Sequence, residues 1–223
     1  MFTNQGLVEH AKKALAEKWG YVYGTFGQVL TETLLKSKLK QYPDNIAQYE
    51  KFIRENWLGK RATDCVGLIK SYLWWSSSGP VYNSKTDLSA NGMYNRAVEK
   101  GPINTMPEIP GICLWKNGHI GVYIGGGWVI EAKGTKYGVV QTPLTGAGSN
   151  NWTHWLKCHL VDYAIKATPK DELREAIDLI SAKTGISPDW YDSIKELAAQ
   201  DKYRYLDDCF IKIAKAFGGA NNG

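Results

Sequence analysis

The stretch ATDCVGLIKSYLWW, residues 62–75, sets Cys65 between an acid, Asp64, and a glycine, Gly67, at the start of an apolar periodic run that reads as a helix. A thiol attacks as its thiolate. The free group ionises near pH ~8.5, and a helix N-terminus lowers that value because unpaired N–H groups and the helix dipole favour negative charge. Gly67 behind it would let a substrate backbone or another chain segment come close. Many buried cysteines are simply small apolar side chains, so position alone does not make Cys65 a nucleophile. A nucleophile also needs a base.

Four histidines can be weighed for that role. His10 lies among Glu9, Lys12 and Lys13 on the first helical segment and reads as solvated. His154 and His159, near Trp152, Trp155 and Leu156, read as packed or partly exposed rings. His119 differs, because in NGHIGVYIGGGWVIEA it opens a strand in which Ile120, Val122 and Ile124 can face a core. His119, Gly121 and Tyr123 then share the other face, where a glycine leaves room for a ligand. A hairpin centred on Gly125 would bring residue 131 opposite residue 119. Glu131 could then hold the ring in one tautomer and favour the imidazolium formed when the thiol loses its proton.

The elements that must position these groups come in two blocks. Leu7, Val8, Ala11, Ala14, Leu15 and Trp19 form a helical stripe closed by Gly20. The glycine-punctuated GYVYGTFGQVL follows, and residues 28–59 read as two helices broken at Pro43. A helix from Thr63 to Trp75, a loop at SSSGPVYNSK and a short helix in LSANGMYNRAVEKG complete the first block. Then the period changes. GICLW, HIGVYIG, GWVIEAKG, YGVVQTPL and HWLKCHLVDY are short, rich in β-branched and aromatic residues, and separated by turn residues, the pattern of an antiparallel meander. Helices before strands indicate an α+β domain over residues 1–163. Residues 164–223 read as a module of three short helices, the first with Thr168 as N-cap, Pro169 at its first position and Gly185 at its end, finishing in a loose GGANNG tail.

Bulk composition bounds the function. Hydrophobic residues make up 43% and charged residues 22% of the 223, near the globular average, so the chain folds. The net charge of +5 is spread without a block of like charge, which excludes a dedicated nucleic-acid binder while suiting an anionic wall polymer. No apolar run reaches the ~18 residues of a membrane span, and the start lacks a secretory pattern. Cys65, Cys113, Cys158 and Cys209 are too dispersed for metal-ligand spacing, and no cofactor is implied.

A helix followed by GYVYG, then DCVGL at a helix start, then GHIGVYIG on a strand with a polar residue twelve positions after its histidine, resembles the NlpC family of papain-like cell-wall cysteine peptidases. The likeness covers residues 1–163 or so. It implies a papain-like fold of helices packed on an antiparallel sheet, with Cys65 as nucleophile, His119 as general base and Glu131 as the orienting third group. It also implies that Tyr21 shapes the oxyanion region, beside an oxyanion donor in the Cys65 N–H. Such enzymes open the γ-D-glutamyl bond to a diamino acid in the peptidoglycan stem, so the implied partner is the bacterial cell wall.

Three departures stand out. Glu131 replaces the histidine or amide of many relatives, Val66 replaces their usual serine, and residues 25–60 form an insertion able to wall or roof the cleft. That insertion, with MPEIPGICLW, IEAKGTKYGV and WTHW, resembles hydrolases encoded by phages and prophages of Gram-positive bacteria. The expected location is the cytoplasm until lysis, or a phage tail, and the C-terminal helices offer a surface for self-association. The competing readings are an N-acetylmuramoyl-L-alanine amidase or other acyltransferase using the same thiol, and a non-catalytic wall-binding phage structural protein.

Overall fold

Thr3 caps the first helix, α1 (Asn4–Ala16), by accepting a hydrogen bond from the Gly6 N–H, and Leu7, Val8, Ala11 and Ala14 are its buried stripe. The helix ends at Ala16 and does not run on to Trp19. Lys18 takes a left-handed φ of 54°, and the Trp19 N–H closes the end on the Ala14 carbonyl, so Trp19 packs from outside the helix. This computed structural model describes residues 2–163 and 169–185. By contact density the chain forms two units, Met1–Tyr163 and Ala164–Gly223.

After α1 come β1 (Gly20–Tyr21) and β2 (Phe26–Val29), then α2 (Glu32–Gln41), α3 (Pro43–Ile46), a turn of 3-10 helix, α4 (Glu50–Asn56) and β3 (Arg61–Thr63). Pro43 ends α2 as expected, because the residue before a proline is driven from helical geometry, and Tyr42 sits at φ −137°, ψ 60°. The small sheet, ordered β1-β3-β2, was not legible as strands because each piece is only two to four residues long. Between β2 and β3 the insertion builds its own small core from Leu30, Leu35, Ile46 and Ile53, with Val22 and Ala62 beneath. Arg54 on α4 donates to Glu32 Oε1 on α2 at 2.6 Å, tying the two helices together.

The next helix is α5 (Cys65–Leu73), followed by the hairpin β4 (Trp75–Ser76) and β5 (Gly79–Pro80) in the segment expected as loop, then α6 (Ala90–Arg96). The main sheet comprises β6 (Lys100–Pro102), β7 (Cys113–Lys116), β8 (His119–Gly125), β9 (Trp128–Gly134), β10 (Gly138–Pro143) and β11 (His154–Leu156), ordered β10-β9-β8-β7-β11-β6 with antiparallel pairs. The meander holds for β7 to β10. The last strand departs from it, because residues 144–153 carry the chain back to pair β11 between β7 and β6.

Both faces of the sheet are covered. Ile120, Val122, Ile130 and Ala132 pack on α1 and α5, while Leu114, Tyr123 and Val129 share a second cluster with Trp152. In the second unit, α7 (Pro169–Thr184) starts on its proline and is followed by Gly185 at φ 72°. The Thr168 cap, the two helices read over residues 186–223, and Cys209 lie outside the described residues. Among the described residues no helix is long and apolar enough to cross a membrane.

Candidate active site

Cys65 is the first residue of α5, and Asp64 is its N-cap. The two Asp64 oxygens do different jobs: Oδ1 accepts from the Gly67 N–H at 2.6 Å within the first turn, and Oδ2 accepts from the Gly24 N–H at 2.9 Å across the fold. The Asp64 N–H in turn donates to the Thr25 carbonyl. This close docking is why residue 67 is glycine, since a Cβ there would lie 2.1 Å from the Thr25 oxygen. The segment that approaches Gly67 is thus the chain itself.

The sulfur lies against the backbone on either side of His119. Cys65 Sγ donates to the Gly118 carbonyl at 3.9 Å, and the N–H groups of Ile120, Val66 and Cys65 itself are directed at it. These N–H groups favour a thiolate, as the helix-end argument expects, but they do not win. Cys65 is only 9% exposed, and burial, with the nearby Asp64 carboxylate, pushes its thiol up to about 12. At rest the sulfur is protonated, and helix-end polarity alone does not ionise it.

His119 opens β8 and donates from Nε2 to Glu131 Oε2 at 2.7 Å. Glu131 is fully buried; burial pushes its carboxyl up, but hydrogen bonds from His119, Thr142 Oγ1 and Asn150 Nδ2 outweigh this and hold it below the usual carboxylate range. An ionised carboxylate only accepts, so Nε2 carries the proton and Nδ1 is the nitrogen left free to act as a base. Lys116 Nζ secures Asn150 through its side-chain oxygen, 2.5 Å, and its carbonyl, 2.8 Å. Trp152 stacks on the His119 ring at 5.3 Å and 14°.

The hairpin differs from the expected one. Strands β8 and β9 pair Val122 with Ile130 and Tyr123 with Val129, with an irregularity before Gly125. Continuing that register sets Gly121 across from Glu131, so His119 meets Glu131 diagonally, within reach for a long carboxylate. The register thus differs by two residues from a hairpin centred on Gly125, and a shift of two keeps both side chains on one face. The space above Gly121 is not open to a ligand. Trp152 fills it, and a Cβ at Gly121 would lie 3.0 Å from the indole.

Room for a ligand is found instead beside Cys65. A cleft of about 670 Å³ has Cys65 and Gly118 in its wall and is lined also by Tyr23, by Lys38 and Tyr42 of the insertion, and by Lys70, Tyr82 and Asp87. Phe26, Lys38, Gln41 and Tyr42, all within residues 25–60, are among the side chains that line it. Asp87 is paired with Lys70 Nζ at 2.7 Å and accepts a hydrogen bond from the Tyr82 hydroxyl at 3.0 Å.

Of the residues singled out from sequence, Cys65 and the backbone beside His119 come together, and His119 joins Glu131. Tyr21, on β1, packs against the main core, with its hydroxyl ionisation raised by burial and by Cys65 and Asp64. Of the two tyrosines in GYVYG, Tyr23 is the one that lines the cleft. His10 is half-buried and not a freely solvated ring: its Nε2 lies 2.6 Å from Ser71 Oγ, and it meets Trp19 and Trp75 edge-on. His154 packs edge-on to Tyr94 and Trp115, and burial with Arg96 lowers His159. Sequence reasoning missed Thr142, which the adjacent β9–β10 hairpin brings to Glu131, and also Asn150 and Trp152, which the return of the chain after β10 brings to Glu131 and to His119. Cys113 and Cys158 are buried free thiols, and among the described residues no cluster of His, Cys, Asp or Glu could hold a metal ion.

No protein-family model matches the sequence, and no curated protein matches it. Among solved structures the chain is similar to the peptidoglycan hydrolase RipB of Mycobacterium tuberculosis, 16% identical, with a TM-score of 0.36 over 72% of this chain and 67% of that one. It is also similar to the P60 domain of antigen MAP1204 from M. avium subspecies paratuberculosis, at 16% identity and a TM-score of 0.37, covering 72% of this chain and 98% of that one. A third is the NlpC/p60 domain of the peptidoglycan hydrolase SagA, at 12% identity and 0.38, covering 70% and 98%.

Proposed function

We propose that the chain is a cysteine-dependent peptidoglycan hydrolase that opens the γ-D-glutamyl bond to the diamino acid of the stem peptide. The observation that carries this reading is a thiol at a helix N-terminus, on a cleft, against the backbone that flanks a carboxylate-held histidine. The order of DCVGL and GHIGVYIG, which resembles the NlpC peptidases, supplies the substrate class.

Because the thiol is protonated at rest, attack and proton transfer go together. Cys65 Sγ bonds to the scissile carbonyl carbon while its proton passes to His119 Nδ1, and Glu131 steadies the imidazolium that results. The oxyanion takes N–H donors from the first turn of α5. Collapse breaks the C–N bond, and His119 returns the proton to the leaving amine. Water then attacks the thioester, gives its proton to His119, and releases the carboxylate product and the thiol. No cofactor enters the cycle.

On this reading the protein acts on the wall of a Gram-positive bacterium, as a phage endolysin or on a phage tail. Mass spectrometry of a digest of purified peptidoglycan tests the bond. New γ-D-glutamyl carboxyls and diamino-acid amines are expected. Release of free lactyl groups would instead establish the amidase, and binding without cleavage would establish the non-catalytic protein.

A further inference from the structure

The insertion contributes a cation to the cleft that the chemistry at Cys65 does not use. Lys38 lies in the last turn of α2, and its Nζ donates to Gln41 Oε1 at 3.0 Å and sits 5.6 Å over the Tyr42 ring. Among the described residues it has no carboxylate partner. The other cleft lysine, Lys70, differs in being paired with Asp87. Burial lowers the Lys38 ammonium, with the Lys70 charge adding to this and the Asp64 and Asp87 charges opposing it. A half-buried cation whose nearest contacts are an amide and a ring face is under-solvated, and an incoming anion relieves that cost.

The position of Lys38 is fixed by packing. Tyr42, at the end of the same helix, lies on Gly24, where a Cβ would come within 2.3 Å of its ring, and Gly24 is the residue whose N–H is held by the Asp64 cap of the Cys65 helix. The insertion is therefore registered directly to the nucleophile's own helix.

We propose that Lys38 is a specificity residue that binds a free carboxylate of the stem peptide in the cleft beside Cys65. This inference rests on the hydrolase reading above. Two carboxylates of a stem peptide offer the same chemistry: the α-carboxylate of the γ-D-glutamyl residue and the C-terminal carboxylate. Stems that carry an amide at the recognised position lose the ion pair and become poor substrates.

The test uses L-alanyl-γ-D-glutamyl-L-lysyl-D-alanine in three forms: both carboxylates free, the glutamyl α-carboxylate amidated, or the C-terminus amidated. The wild-type protein is expected to show a KM about tenfold lower for forms that keep the recognised carboxylate, the size of one charge-assisted contact. Lys38→Gln should erase the preference, and Lys38→Arg should restore most of it. The amidation that mimics Lys38→Gln identifies which carboxylate is read. Equal KM for all three forms in the wild type, or a preference that survives Lys38→Gln, overturns the proposal. Binding of the same peptides to Cys65→Ala protein, by calorimetry, separates the two claims. If wild type cuts none of the peptides and no peptidoglycan, the hydrolase reading falls, while a Lys38-dependent difference in binding still upholds the carboxylate site and its absence overturns it.

Discussion

Two histidines in this molecule each make one short side-chain hydrogen bond through Nε2, in opposite surroundings. His10 on α1 places Nε2 2.6 Å from the Ser71 hydroxyl, and Ser71 Oγ donates to the Leu68 carbonyl, so the ring donates to Ser71. His119 on β8 donates to Glu131 at 2.7 Å. By distance alone the first looks like a serine–histidine pair. Yet Ser71 is fully buried, and burial with Lys13 and Arg61 lowers His10 to about 4 despite Glu17, so that ring stays neutral at working pH. His119 faces a buried ionised carboxylate, and the residues flanking it touch a thiol on a cleft wall. The hydrogen bond does not distinguish a functional histidine from a structural one; the charge beside it and access to a substrate do.

The sharpest way to break that contrast is to remove each ring in turn. His119→Ala should cost about 10³-fold in kcat/KM on peptidoglycan, the usual worth of a general base, whereas His10→Gln should leave kcat/KM within about threefold of wild type. Equal losses from both would erase the distinction. Glu131→Gln keeps the shape but removes the charge and the preference for Nε2–H, and should cost about 10²-fold in kcat with little change in KM. A drop confined to KM would make Glu131 a scaffold for the cleft only.

The smallest effect concerns stability in acid. The unfolded chain protonates His10 near its ordinary 6.5, but the folded protein does so only near 4, so between those values the unfolded state binds more protons. The share of stability set by His10 is whole above pH 6.5 and declines by up to about 3 kcal/mol as pH falls to 4. The charged groups facing that ring are Lys13 and Arg61, which lower it, and Glu17, which raises it. Urea unfolding of wild type and His10→Gln between pH 7 and 4 should show the variant losing less; parallel curves would mean the ring is solvated.

The same contrast shows what the sequence could reveal. Cys65 at a helix start, the β8–β9 hairpin and the carboxylate beside His119 were legible because each depends on spacing within about a dozen residues. The burial of His10 was not, since it depends on Trp19 and Trp75 folding over a helix face that carries Glu9, Lys12 and Lys13 in sequence. Nor was the protonation of Cys65. Helix polarity is a local property, but the burial that opposes it is set by the whole fold. Trp152 and Asn150 reach the site only because β11 returns to the β7 edge of the sheet, a long-range choice that no local pattern encodes.

The most direct test of the central claim is the release of new amino groups from purified peptidoglycan by wild type and by Cys65→Ala, with both melting temperatures measured. Loss of release in the variant at a nearly unchanged Tm is the predicted result. Release at the wild-type rate by the folded variant would show that another group does the chemistry.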